Sequence, residues 1–499
     1  MKSNWRRTVA VLTTVVLTVL FVAITANITE RKASKAKNSV FFKDKTEYDV
    51  LFYGSSHMVD AIYPMEMWDK EGIVAYNLGG NGNRIPTSYW IFKNSLDYAK
   101  PEVVVLDCTM LSQNLKADTN FSFLHTSLDE FPLSLNKIRA VKDLLDDAEA
   151  EKAILEGTAP TNGEERTAFG LLWGYSVYHS RWTELTEDDF SPYIYTEKGA
   201  ETLVNVAEPT YNKQVGKDCY IDENTVAMDY LVKMIEECKS RDIDIVLVYL
   251  PFMATEVEQM EANTMEKIAA DKGVDCINFL DLDVVDYTTD CYDGGHMNPS
   301  GARKVTNYMS RYLKDNYGIA DRRQDESVSS WYQDYKEYMD CEYLLTYREK
   351  HLNNYLMLLS GIRQTTVMDV REQKIWKDPL YYSLLKNLNV DVDRLDDDAC
   401  FIVIKDNVAA IVKNLDSYDE KADTEVGQVT MTKAKVEGGK GFGLELDGEL
   451  IFTGRLEDTM LHVYSHYEND ESADIAFEGQ LIEGDEGFEY AVSEADWWR

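Results

Sequence analysis

Val50-Leu51-Phe52-Tyr53-Gly54-Ser55-Ser56-His57 is an apolar run that stops at a glycine and then presents serine. Apolar residues bounded by turn formers predict a strand buried on both faces, with a sharp turn at its carboxyl end. Far along the chain, Asp293-Gly294-Gly295-His296-Met297-Asn298-Pro299 sets an aspartate three residues ahead of a histidine. Asn298 is a good N-cap and Pro299 a good first helical residue. Val305, Tyr308, Met309, Tyr312 and Leu313 then fall on one stripe at helical spacing. A serine hydroxyl becomes a useful nucleophile when an imidazole takes its proton, and the imidazole works best when a carboxylate fixes its tautomer. Ser56, His296 and Asp293 are therefore candidates for nucleophile, base and orienter.

Runs at 49–53, 73–76, 102–107, 243–250 and 274–279 are near-continuous in Val, Ile and Leu, as in parallel strands covered on both faces. Met260 to Ala270 reads as helix, and Val226, Tyr230, Met234 and Cys238 share another helical face. Strands alternating with helices predict an α/β fold with a doubly wound parallel sheet, which binds ligands at the carboxyl ends of its strands. Ser56, Gly82, Thr109 and Asp293 all follow such ends.

Together these segments resemble the SGNH (GDSL-like) hydrolase and esterase superfamily over residues 48–318. Gly54-Ser55-Ser56 stands where the family has Gly-Asp-Ser, which implies a flavodoxin-like fold with Ser56 as nucleophile. Asn77-Leu78-Gly79-Gly80-Asn81-Gly82, after Ile73-Val74-Ala75-Tyr76, is similar to the family's second block. The last glycine of that block lends a backbone N–H to the oxyanion hole. The role falls on Gly82, with Gly79 or Gly80 as fallback, beside Ser56 itself. Asp293-Gly294-Gly295-His296 matches the block that supplies the other two triad members. The third block departs: after Val103-Val104-Val105-Leu106 the family has Gly-x-Asn-Asp, and this chain has Asp107-Cys108-Thr109-Met110. Thr109 is the positional stand-in for the absent asparagine, and Asn81 and Asn83 are the other candidates. Losing one such donor costs about 2.7–4 kcal/mol of transition-state stabilisation.

The resemblance leans toward membrane-anchored bacterial proteins of polysaccharide O-acetylation and teichoic-acid D-alanyl transfer. It implies a serine acyltransferase that passes an acyl group, most simply acetyl, to a cell-surface polysaccharide without a cofactor. A multi-spanning acyl-exporting membrane protein is the implied partner. Two other functions stay open: a carbohydrate esterase using the same residues, and a non-catalytic glycan-binding or assembly protein.

Residues 8–28 carry no charged side chain and are long enough to cross a bilayer as a helix. Lys2, Arg6 and Arg7 precede them, while Arg31, Lys32, Lys35 and Lys37 follow, so flanking charge does not set orientation. The favoured reading is an uncleaved signal-anchor over 1–29 and a linker over 30–47, giving a single-pass cell-membrane protein with its bulk extracytoplasmic. A signal peptide cleaved near Ile24-Thr25-Ala26 is the alternative. With 88 acids against 51 basic residues, the net charge of −37 argues against nucleic acid and against docking on anionic lipid. Seven cysteines without C-x-x-C spacing give neither a paired disulfide framework nor a zinc ribbon. Cys108 and Cys276 read as core thiols, Cys291 is given no role, and no metal is expected.

Residues 113–222 form an insertion too long for a loop. Within it, Tyr178-His179-Ser180-Arg181-Trp182 has two readings: a lid in which Arg181 grips an anionic group and Trp182 stacks on a sugar, or aromatics filling a small subdomain core. His57 is read as structural or substrate-facing, and His125, His179, His351, His462 and His466 as packed or exposed. A helical connector covers 319–360 and ends near Gly361. A β-rich accessory domain follows over 361–499, with strands at Phe401–Ile404, Val429–Met431, Gly443–Phe452 and Met460–His466. Asp447-Gly448 inside an apolar alternation marks a hairpin. From Ile362 through Asp369-Val370-Arg371 and Phe401–Ile404 to that hairpin, the pattern resembles PANDER-like carbohydrate-associated domains, which implies glycan binding. The tail after His466 holds eleven acids and one arginine and is read as solvated.

Overall fold

A computed structural model describes the chain apart from residues 1, 30–31, 130, 157–166, 174, 187–189, 191–196, 208–210, 350, 363, 372–377, 416, 437–438, 456–460, 468–473, 485–486 and 495–499. Arg31, Met460 and parts of the expected insertion and tail thus lie outside the described residues. The chain forms two compact units, the first of residues 1–201, 211–284 and 304–335, the second of 202–210, 285–303 and 336–499.

In the first unit, β1 (Val50–Tyr53), β2 (Ala75–Asn77), β3 (Val103–Asp107), β4 (Asp244–Tyr249) and β5 (Asp275–Asn278) make one parallel sheet in the order β2-β1-β3-β4-β5. All five expected strands are present. Every residue of β1 and β3 is buried, which is why both read as unbroken apolar runs. β2 begins two residues later than expected; just before it, Val74 O accepts the Asp49 N–H at 2.8 Å while its own N–H goes to the Asp49 side chain at 2.9 Å. Strand order reverses between β1 and β3, the position at which open α/β sheets bind ligands.

Helices α1 (Lys2–Thr29) and α2 (Lys32–Lys43) precede the sheet. The stretch read as a linker is thus largely helical, and it is pinned by aromatic contacts: Phe41 lies 5.2 Å from Tyr76 and Phe42 lies 4.9 Å from Phe131 between ring centroids. Between β1 and β3 come α3 (Ser56–Ala61), α4 (Pro64–Glu71) and α5 (Ile85–Ser95). The insertion after β3 carries α6 (Phe121–Leu128), α7 (Leu135–Leu145), α8 (Ala148–Leu155), α9 (Ala168–Leu172), α10 (Tyr175–Tyr178) and a 3-10 turn at His179–Thr183. α11 (Val226–Ser240) and α12 (Glu256–Lys272) flank β4, and α12 opens on a Thr255/Glu258 capping box.

α13 (Pro299–Tyr317) starts in the second unit, where the Asn298 side chain caps it by accepting the Ser300 and Gly301 N–H groups at 3.0 and 3.2 Å. The expected connector divides into α14 (Trp331–Arg348) and α15 (Leu352–Leu359), and α16 (Pro379–Asn387) follows. Ten strands come from β6 (Gln364–Asp369), β7 (Ala399–Lys405), β8 (Val408–Lys413), β9 (Lys421–Thr424), β10 (Gly427–Val436), β11 (Gly439–Leu446), β12 (Glu449–Arg455), β13 (Leu461–Tyr467), β14 (Asp474–Gly484) and β15 (Gly487–Glu494). They pair antiparallel in two sheets, β12-β11-β10-β9 and β15-β14-β13-β6-β7-β8. Phe401 and Val403 of β7 join a core with Val429, Met431, Phe442 and Phe452. The alternate residues Ile402 and Ile404 join another with Leu356, Leu358 and Leu384, as the two-residue period of a strand requires. Asp447 (φ 52°) and Gly448 (φ 90°) both adopt positive φ between β11 and β12, the twist-matched hairpin turn their sequence predicts.

Within the tail, β14 and β15 form a hairpin. Phe488, Tyr490 and Val492 alternate with Glu489, Ala491 and Ser493, a strand pattern that the acid count conceals.

Candidate active site

β1 ends at Gly54, where an added Cβ would lie 2.6 Å from Asp107 Cβ and 3.0 Å from Met58 Cβ. Glycine lets the strand end run that close to β3. Ser55 is extended (φ −82°, ψ −164°) and its Oγ accepts the His57 N–H at 3.3 Å, so α3 begins at Ser56. The nucleophile candidate thus occupies the first helical position directly after the sheet.

Behind it lies Asp107, 2% exposed. Its Oδ2 accepts from Ser55 Oγ at 3.0 Å and from Thr109 Oγ1 at 2.6 Å, and its Oδ1 accepts the Thr109 N–H at 3.2 Å. Burial pushes this carboxyl above its ordinary value, and the hydrogen bonds from Thr109 and Ser55 pull against that rise. Thr109, the positional stand-in, gives both its amide and its hydroxyl to Asp107, two residues back, as short polar side chains at strand ends commonly do.

The glycine loop sorts its own amides. Gly79 N–H goes to Asn77 Oδ1 at 3.0 Å and Gly80 N–H goes to Gly54 O at 3.1 Å, so both fallback donors are engaged. Asn83 N–H closes a turn onto Gly80 O at 3.0 Å. Gly82 sits in that turn at φ +70°, and its own N–H has no partner among the described residues. Asn83 is 4% exposed and its Oδ1 accepts from Ser127 Oγ at 2.5 Å. Its Nδ2 is buried without a partner among the described residues, so close over Gly80 that an added Cβ would fall 2.5 Å away. A buried amide with an unused donor is costly unless something else uses it.

Asn77 is a working residue that sequence reasoning placed only inside a motif. Its Nδ2 donates to Met58 O at 2.7 Å and Ile62 O at 3.0 Å, which staples the loop to α3. His57 packs its ring on Phe252 at 4.3 Å between centroids. Arg181 donates from Nη1 to Thr29 O at 2.8 Å, at the end of α1, and Trp182 beside it is 70% exposed. Of the two residues read as a sugar-gripping lid, Arg181 is thus engaged by the backbone of α1.

In the second unit, Asp293 Oδ1 accepts the Gly295 N–H at 2.7 Å and the His296 N–H at 2.9 Å. The His296 Nδ1 lies 3.0 and 3.1 Å from the two carboxylate oxygens. With Nδ1–H donated to Asp293, the lone pair sits on Nε2, the tautomer a general base needs. Burial would raise the Asp293 carboxyl, but the Gly295 N–H, the His296 ring and its charge outweigh burial and hold it below the usual value. Cys291 pairs with Ala207 and Met297 as a bridge, and its thiol is pushed up to about 12 by burial and by Asp290 and Asp293, a range in which thiolate chemistry is suppressed.

No protein-family model and no curated protein matches the chain. Among solved structures, a Bacteroides fragilis NCTC 9343 protein described as a "putative acylhydrolase" is similar at 10% identity and a TM-score of 0.27, covering 56% of this chain and 94% of that one. At that score the likeness carries no argument.

Proposed function

We propose that the protein is a membrane-anchored serine acyltransferase of the SGNH type, using Ser56, His296 and Asp293 to move an acyl group, most simply acetyl, onto a cell-surface polysaccharide. The observation that carries this reading is the Asp293–His296 turn, in which His296 Nδ1 lies 3.0 and 3.1 Å from the two carboxylate oxygens, the arrangement an orienting carboxylate requires. The placement of Ser56 where β1 gives way to α3 supports it. Ser56 Oγ attacks the acyl carbonyl while its proton passes to His296 Nε2. The resulting oxyanion takes hydrogen bonds from the amides of Ser56 and Gly82 and from Asn83 Nδ2. Collapse expels the donor alcohol, protonated by His296, and leaves an ester on Ser56. A sugar hydroxyl then repeats the sequence and frees the serine.

α1 is long and apolar enough to cross a membrane. We read it as a single-pass anchor that leaves the rest of the chain extracytoplasmic. One span cannot carry an acyl group over the bilayer, so the donor must come from a multi-spanning acyl-exporting partner. The test is covalent capture. A fluorophosphonate should label wild type at Ser56 and not Ser56→Ala, and an acyl donor analogue should leave a mass increment on Ser56 that a glycan acceptor discharges. Equal labelling of both proteins would end the proposal.

A further inference from the structure

The apolar window of α1, Trp5–Ala26, has a mean hydropathy of 2.6 and is not covered by protein. At about 1.5 Å per residue it spans about 33 Å, close to the roughly 30 Å hydrocarbon core of a bilayer. Trp5 therefore marks one boundary and Thr25 the other. Spanning helices are held at such boundaries by Trp and Tyr, whose rings favour the headgroup level. Trp5 supplies this at the entry end, but the chain has no Trp or Tyr between Trp5 and Tyr48.

The insertion provides what the exit end lacks. Thr25 Oγ1 donates to Tyr175 Oη at 3.2 Å, and Arg181 Nη1 reaches Thr29 O at 2.8 Å. Arginine thus satisfies a carbonyl that the helix end leaves open. From Tyr175 the rings run on as a ladder, to Trp173 at 5.5 Å and from there to Phe169 at 5.3 Å between centroids. These rings are open to the outside: Phe169 is 60% exposed, Trp173 44% and Trp182 70%. Aromatics clustered on a water-facing surface are a liability, whereas the same rings at the depth of Thr25 lie in the environment that suits them.

We infer that residues 168–173 and 175–183 form an interfacial collar that seats the insertion in the phospholipid headgroup layer around α1. The inference rests on α1 being a bilayer anchor. Its ligand is the zwitterionic lipid surface, held by rings, because a chain of net charge −37 gains little from anionic headgroups.

The test uses the full chain in phosphatidylcholine nanodiscs, with and without bromine near the top of the acyl chains. The loss of tryptophan emission is compared in wild type, Trp5→Phe and Trp173→Phe/Trp182→Phe. Phenylalanine preserves the apolar seat and removes only the reporter. Both variants should lose part of the bromine quenching seen in wild type. If Trp5→Phe loses quenching and the collar variant does not, α1 is embedded and the collar is wrong. If bromine quenches no tryptophan, the anchor reading fails and the collar with it. If the collar emission ignores bromine but responds to added soluble polysaccharide, the surface is a glycan platform and the inference is overturned.

Discussion

Replacing Asn83 separates catalysis from stability in a way the structure makes quantitative. Its two side-chain ends have different tasks: Oδ1 accepts from Ser127 at 2.5 Å, and Nδ2 is buried with no partner among the described residues. Asn83→Ala removes both. Losing an oxyanion donor costs about 2.7–4 kcal/mol, a fall of roughly 10²–10³ in kcat. Losing the Ser127 hydrogen bond costs about 1 kcal/mol, or roughly 2–4 °C in Tm. Asn83→Asp keeps the volume and the acceptor for Ser127 but turns an oxygen toward the developing oxyanion. It should lose at least as much activity as alanine, and its Tm should fall as well, because a carboxylate this buried, with the Ser127 hydroxyl as its donor, is costly to desolvate. The assays are kcat/KM on a nitrophenyl acetate and the rate of fluorophosphonate labelling, with Thr109→Val as control. Asn83→Ala within about twofold of wild type would remove the donor assignment. If Thr109→Val then showed the large loss, threonine would be the donor despite its bonds to Asp107.

Gly82→Ala should slow turnover and lower Tm together: φ +70° costs a side chain about 1–2 kcal/mol, and its Cβ would meet Phe123 Cδ2 at 2.4 Å. Asp293→Asn should keep the circular dichroism spectrum yet lose most turnover, since an amide cannot hold the imidazole in the base tautomer; an active variant would refute the role. For Asp107 the sign follows from its raised carboxyl: such a group adds stability in full below its unfolded value, and that increment is lost as pH rises through the folded value. Asp107→Asn mimics the protonated form, so the Tm of wild type relative to this variant should fall as pH rises from about 4. A relative Tm that climbs over that interval would show the carboxylate, not the acid, to be the stabilising form.

The five sheet strands were legible because each is an apolar run closed by turn residues, and the Asp447-Gly448 hairpin because positive φ at both positions has few sequence solutions. Other features depended on contacts that no local pattern carries. α2 is held by Phe41 and Phe42 against Tyr76 and Phe131, whereas its lysines suggest a linker. Arg181 meets Thr29 across 152 residues. β14 and β15 were hidden by their charge. The oxyanion donors were ambiguous because sequence shows which groups can donate and not which already have acceptors, as Gly79, Gly80 and Thr109 do.

Two departures from the pattern the chain resembles are one change in space. That pattern has an acid before the nucleophile and a glycine opening the third block, whereas this chain has Ser55 and Asp107. The structure joins them, since Ser55 Oγ donates to Asp107 Oδ2 at 3.0 Å. A carboxylate is thus kept beside the turn that presents Ser56, supplied by β3 instead of by the turn itself. The exchange has a consequence for the hole. A buried carboxylate at the end of β3 needs donors, and it takes both the hydroxyl and the amide of Thr109, two residues on. A third-block donor cannot serve Asp107 and a substrate at once. The second block can release one, because Ser127 engages only the carbonyl of Asn83 and fixes its amide nitrogen over Gly80. The missing asparagine of the third block and the unspent asparagine of the second are therefore linked through Asp107, and a chain that restored the first by Thr109→Asn would have to find Asp107 new donors before that asparagine could turn toward the acyl group.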